Sequence, residues 1–175
     1  VLDFARDDVR AWALGWLDAL VTDSPNPATR RAMPLRYRFH VAMAGVLGVG
    51  GNPSEWTAGE LETAAELIAQ YKRVRRTVQQ GAQYRLAGTP GQERSAVQYV
   101  SGDQVVVLAH NPLGNAKRGP RTLRLAGLDP DAGYELESDG SRRHGATLLG
   151  AGIRPAAWAP IGAGHRSERA VLKKV

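Results

Sequence analysis

Side chains able to do acid, base or nucleophilic chemistry are thinly spread over this sequence. The best-placed carboxylate is Asp23, in the stretch Val21-Thr22-Asp23-Ser24-Pro25-Asn26-Pro27, a loop made of turn formers in which Asn26 lies close by. A further amide, Asn52, closes Gly50-Gly51-Asn52 at the end of an apolar run. Loops at the carboxyl ends of strands are where an α/β architecture carries its binding groups, so Asp23, Asn26 and Asn52 are the candidate substrate-binding residues. Asp23 also has a plainer use, closing an Asx turn before Pro25. Carboxylate chemistry needs a partnered group, and none stands out. Glu55 suits the start of a helix, where negative charge is favoured. Asp3 follows a short strand-like stretch, and Asp129 and Asp131 flank a proline turn. His40 and His110 fall in strand-like apolar runs and read as core histidines. No catalytic residue is assigned.

Metal and cofactor chemistry find no better footing. The histidines, His40, His110, His144 and His165, have no ligand spacing to one another or to carboxylates. There is no cysteine, which excludes disulfides, thiolate metal sites and cysteine nucleophiles. The glycines at 45, 48, 50 and 51 lack the Gly-Lys-Ser/Thr ending of a phosphate loop and the order of a dinucleotide fingerprint. The expectation is therefore no metal and no cofactor.

The elements that must position these groups change character near Gly81. Val9, Trp12, Ala13, Trp16, Leu17 and Leu20 recur at helical spacing, giving an amphipathic helix from Asp7 to Leu20 with its two tryptophans on the core face. Met43 to Val49 reads as a buried parallel strand, a near-continuous apolar run. Phe39 to Trp56 then makes the strand and loop of a strand–loop–helix unit from about Arg36 to Gly81. Thr57-Ala58-Gly59-Glu60 fits a capping box. Behind it, Leu61, Ala64, Ala65, Ile68, Tyr71, Val74 and Val78 keep a 3.6-residue period, and Gly81 is placed as the C-terminal cap. Beyond Gly81 the period falls to two. Gln83–Ala87, Ser95–Val100, Gln104–His110, Arg121–Leu125, Gly133–Glu137 and Ala170–Lys173 read as strands, with turns at Ser101-Gly102-Asp103, Leu128–Ala132 and Asp139-Gly140. Ala151–Arg166 has no periodicity and reads as loop. The fold class is α/β plus all-β, with 1–81 a partial (β/α)8-barrel segment and 82–175 a C-terminal antiparallel β-sandwich.

With 175 residues, 43% of them hydrophobic, the chain can bury a core. The formal net charge of +6 raises a nucleic-acid reading. Its densest basic group, Lys72, Arg73, Arg75 and Arg76, instead ends a helix that opens with Glu60, Glu62 and Glu66, which is the polarity the helix dipole favours. No nucleic-acid partner is expected. No stretch approaches the roughly 18 apolar residues of a membrane span, so no membrane partner is expected either. No signal-like segment precedes the first helix, and with the lack of cysteine this gives a cytoplasmic expectation.

VTDSPNPAT at 21–29, PLRYRFHVAMAGVLGVGGNPSEW at 34–56, SAVQYVSGDQVVVLAHNPLG at 95–114 and GLDPDAGYELES at 127–138 together resemble the last third of bacterial α-galactosidases of glycoside hydrolase family 36. VLDFARDDVRAWALGWLDAL at 1–20 is similar to an earlier part of that family, the end of the third barrel strand and the helix after it. The resemblance implies a β-sandwich, a (β/α)8 barrel and a second β-sandwich in the parent enzyme, with α-galactosides as substrate. Its nucleophile belongs to a Lys-Trp-Asp-Met-Asn motif and its acid/base to a Ser-Asp-Asn-x-Asp-like segment. Neither motif stands in this sequence, nor does the family's Cys-Ser-Gly-Gly-Gly loop. The family's central barrel would fall between Leu20 and Val21, adjacent here. Thr29-Arg30-Arg31 occupies a place where the family tends to have Thr-Gly-Arg, and Asp7 one where it often has proline.

A retaining glycosidase needs two carboxyl groups about 5–5.5 Å apart across the sugar. The expectation is a family fragment without hydrolytic activity of its own. The alternative is a non-catalytic sandwich that binds carbohydrate or a subunit, for which Trp158, between prolines, is the candidate stacking platform. Apolar helix faces left uncovered in the barrel segment also open the way to homo-oligomers.

Overall fold

A computed structural model of the chain describes residues 20–25, 30, 32–88, 94–112, 122–159 and 164–175. Residues 7–19 of the helix read over Asp7 to Leu20, together with Asp3 and Asn26, lie outside the described residues, and Leu20, read as its last residue, is in a strand. Two compact units divide between Tyr71 and Lys72, a point within a single long helix.

The first unit holds a short parallel pair. β1 (Leu20–Val21) and β2 (Gly48–Val49) lie side by side, Leu20 opposite Gly48 and Val21 opposite Val49. Most of the apolar run read as strand is something else. Leu35–Ala42 forms helix α1, which takes in Phe39 and His40, and Met43 is its C-cap. Of that run only Met43 belongs to the helix end, where it is fully buried with Phe39 and Ala42; residues 44–47 are neither helix nor strand, and Val46 among them is 66% exposed. Only its last two residues, Gly48 and Val49, are extended in β2.

Helix α2 runs from Ala58 to Gln80. Its capping box forms as expected. Thr57 Oγ1 accepts from Glu60 N at 3.3 Å, and Glu60 Oε2 accepts from Thr57 N and Thr57 Oγ1, both at 2.9 Å. The buried stripe is Ala64, Leu67, Tyr71, Val74 and Val78. Leu61 and Ala65, read as part of that face, are exposed, and Ile68 is half-buried. Gly81 ends the helix by close approach and not by a left-handed turn. Its N donates to Thr77 O at 2.9 Å, and a β-carbon there would lie 2.7 Å from Val100 O and closer still to Thr77 O.

The second unit is a six-stranded antiparallel sheet in the order β3-β4-β5-β8-β6-β7. β3 (Ala82–Ala87), β4 (Ser95–Ser101) and β5 (Gln104–Asn111) form a meander, and β6 (Gly133–Leu136) pairs with β7 (Arg142–His144). β8 (Arg166–Lys174) then enters between β5 and β6. The β4–β5 turn has Gly102 at φ 58° as its first central residue, which suits a II′ hairpin, and Gly140 between β6 and β7 sits at φ 68°.

One face of the sheet carries Ala96, Val105, Val107, Ala109, Ala170 and Leu172 into a core with Leu123, Leu125, Leu128, Leu148, Ile153 and Trp158. Val106 and Leu108, which alternate with these on β5, are also buried, so the strand is covered on both faces. Among the described residues the layer over the first face is irregular. In the stretch 121–125 read as a strand, the described residues 122–125 form none, and only Leu123 bridges Ile153. Ala151–Arg166, read as loop, supplies that bridge and a 3-10 turn at Ala156–Trp158. Two elements of the second unit escaped the sequence reading, β7 and helix α3 (Gly145–Gly150), because neither has room for a period.

Trp158 is not a surface platform. It is 2% exposed within this core, and the Arg94 guanidinium lies 5.8 Å from its ring centroid. Tyr99 and Tyr134 are buried as well.

Candidate functional site

The carboxyl ends of β1 and β2 bring two of the three candidate residues together. Val21 O accepts from Gly50 N at 3.0 Å and from Gly51 N at 3.1 Å, which wraps the glycine turn over the end of β1. Two residues on, Asp23 Oδ1 accepts from Asn52 N at 3.0 Å. Gly51 makes that bond possible, since a β-carbon at position 51 would sit 2.5 Å from Asp23 Oδ1. The Asp23 carboxylate thus bridges two loops, where an Asx turn within its own loop was the plainer expectation.

Asn52 has its own local task. Its Oδ1 accepts from Ser54 N at 3.3 Å and Ser54 Oγ at 2.7 Å, capping the 3-10 turn Pro53–Glu55. Its Nδ2 donates to Glu55 Oε1 at 2.8 Å. Glu55, read as next to the helix start, lies in the 3-10 turn just before α2 and is engaged with Asn52.

Arg38 is the residue that sequence reasoning missed. It is buried on α1, and its Nε donates to Met33 O at 3.1 Å while Nη1 donates to Thr22 O. Ser24 Oγ accepts from Met33 N at 3.0 Å. The loop carrying Asp23 is thus held at Thr22 and Ser24 from the segment leading into α1. Burial pushes the Arg38 guanidinium below its usual range, while the charges of Glu60 and Asp23 act in the opposite sense. A signal was present in Leu35-Arg36-Tyr37-Arg38-Phe39, where Arg38 stands between two large apolar residues on a helix of only eight residues.

The other sequence candidates fall elsewhere. Asp129 Oδ1 accepts from Asp131 N at 3.0 Å, and its Oδ2 meets Lys174 Nζ at 2.8 Å, in a turn of the second unit. His40 is buried in α1 and His110 in β5. Among the described residues no group of three or more histidines and carboxylates is arranged to hold a metal, and no helix is long and apolar enough to cross a membrane.

This unit has the pattern of a barrel rim, with parallel strands, glycine-rich turns at their carboxyl ends and a capped helix after the second turn. Residues 1–81 match the family described as Melibiase, and residues 94–165 match the glycosyl hydrolase family 36 C-terminal domain. The chain belongs to glycosyl hydrolase family 36. It is 35% identical over 147 residues to a probable α-galactosidase G of Aspergillus terreus, covering 82% of this chain and 20% of that protein. It is also 35% identical over 126 residues to α-galactosidase AgaA of Geobacillus stearothermophilus, covering 71% of this chain and 17% of the relative. A crystal structure of an AgaA variant in complex with raffinose superposes with a TM-score of 0.80 at 32% identity, over 89% of this chain and 21% of that one. The chain spans about a fifth of the length of the family 36 relatives it matches.

Proposed function

We propose that this chain supplies the barrel-closing segment and C-terminal β domain of an α-galactosidase, and does not hydrolyse α-galactosides by itself. One observation carries the reading. Asp23, the carboxylate best placed at the strand ends, is bonded to Asn52 N across the turn that Gly51 keeps open. Glu55, linked to the same turn through Asn52, is likewise occupied. The Lys-Trp-Asp motif of the family nucleophile does not occur in the sequence. Retention of configuration needs two carboxyl groups facing each other across the sugar. Asp23, Asn26 and Asn52 then serve as rim residues that contact an α-galactoside once the other strands are in place, and the cysteine-free composition favours a cytoplasmic setting. The competing role of the β domain as a sugar binder loses its stacking residue, since Trp158 lies in the core.

The test is hydrolysis of a chromogenic α-galactoside by the purified chain. No release above the buffer rate is expected. Turnover that disappears in Asp23→Asn would overturn the reading.

A further inference from the structure

The β6–β7 hairpin holds the sequence's single aspartate–glycine step, Asp139-Gly140, and no asparagine in the chain precedes a glycine. At such a step the main chain can attack its own side chain, because glycine has no β-carbon to hinder the approach. Asp139 is exposed, in the turn over 137–140. A β-carbon at Gly140 would meet nothing within 4 Å, so the surroundings leave the backbone room to move. Hydrogen bonds oppose that movement. Gly140 N donates to Leu136 O at 2.9 Å, and Asp139 Oδ1 accepts from Ser141 N at 2.9 Å. Behind them Leu136 N donates to Ser141 O, also at 2.9 Å, and closes the hairpin.

We propose that Asp139 is a site of spontaneous isoaspartate formation, and that the hydrogen bonds of the hairpin gate it. Gly140 N attacks Asp139 Cγ and forms the N–Cγ bond of a five-membered succinimide. The carboxyl loses a hydroxyl and the nitrogen its proton, and the two leave as one water. Water then adds back at either ring carbonyl. Cleavage of the N–Cγ bond restores aspartate. Cleavage between Gly140 N and the main-chain carbonyl carbon of Asp139 leaves the chain running through Cγ, which is isoaspartate. In the closed hairpin the attacking nitrogen is committed to Leu136 O and the carboxylate to Ser141 N, so the step waits on local opening. The bond from Ser141 N, and after it the charge of Arg143, holds the Asp139 carboxyl below its usual range. Ring closure expels hydroxyl from the neutral carboxyl, so this slows it further. The product carries one more carbon in the main chain of the turn, which disturbs the register of Glu135 opposite Arg142. Among the described residues β7 is an edge strand paired with β6 alone, whereas β6 is also held by β8. The modification therefore loosens β7 and spares the rest of the sheet.

The test incubates the purified chain at neutral pH, folded and in concentrated urea, beside a synthetic peptide of residues 133–144. Isoaspartate is located by mass spectrometry of tryptic peptides and counted by methylation with an isoaspartyl methyltransferase. Conversion at Asp139 is expected in all three samples, about tenfold slower in the folded chain, the worth of one to two hydrogen bonds. The slowing should match the hydrogen-exchange protection of the Gly140 amide, since one opening exposes that nitrogen to both reactions. Asp139→Glu should abolish the signal, because closure would then need a six-membered ring. In the converted chain, amide protection should fall in β7 and persist in β8. Equal rates in the folded chain and in urea would overturn the gate. Isoaspartate absent from Asp139, or concentrated at another residue, would overturn the site.

Discussion

Arg30 holds a left-handed backbone, φ 58°, the one non-glycine residue among those described to do so. The resemblance places it where related enzymes tend to have glycine, and the conformation gives the reason, since a β-carbon strains that region by about 1–2 kcal/mol. Glycine also has more freedom to lose on folding, by roughly 0.5–1 kcal/mol. Arg30→Gly should therefore stabilise the chain by about 0.5 kcal/mol, seen as a higher urea midpoint at unchanged slope. Arg38 is the opposite case, because its guanidinium satisfies two carbonyls, Thr22 O and Met33 O, from a buried position. Arg38→Met should cost about 2–3 kcal/mol by leaving those oxygens without their donor, measured in the same titration. Asp23 and Asn52 were each legible as candidates because they stand in turn-rich loops, but their bond to one another was not. Arg38 was not, because an arginine at a helical position reads as surface unless its carbonyl partners are known.

Helix α2 is the element the sequence specifies most completely. Its capping box involves only Thr57, Glu60 and the first turn of the helix, so propensity and structure agree residue for residue. Hydrogen bonds from Thr57, its backbone N–H first, hold the Glu60 carboxyl below its usual range. A depressed carboxyl contributes stability that is present above its unfolded-state pKa and lost as pH falls through its folded value. Thermal midpoints should therefore fall on acidification below about pH 4.5, and Glu60→Gln should flatten that part of the curve. The strands were less evenly readable. β4 and β5 alternate or run apolar, and both were located to within a residue. β8 begins at Arg166, four residues before its apolar part, because Arg166-Ser167-Glu168-Arg169 has no hydrophobic signature and is extended only by pairing with β5. Trp158 was misplaced for a related reason. Prolines around it signal a loop, but burial belongs to the tertiary packing of Leu123, Leu148 and Ile153. Trp158→Ala should cost about 3–5 kcal/mol and remove much of the near-ultraviolet circular dichroism.

At the scale of the whole molecule, the two units differ in how much of their structure is self-contained. The second has a continuous six-stranded hydrogen-bond ladder and a core of its own. It also includes the last turns of α2, where Thr77 Oγ1 donates to Gln104 Oε1 at 2.5 Å and Val74 and Val78 are buried. A fragment of residues 72–175 should thus unfold cooperatively, and one of residues 82–175 should be less stable by about 3 kcal/mol. Calorimetry of the two fragments decides this, and equal stability would show that the helix end adds nothing to the sheet.

The position of β8 carries a consequence for synthesis. Of the six strands it is the last to leave the ribosome, yet it lies between β5 and β6 and is hydrogen-bonded to both. Until it emerges, the β3–β5 meander and the β6–β7 hairpin are separate pieces with raw edges facing each other across a missing strand. Nascent chains and premature-stop products thus share one fault, an unfilled slot in the sheet centre that a chaperone or protease can recognise. Insertion of β8 thus becomes the step that joins the two halves of the sheet.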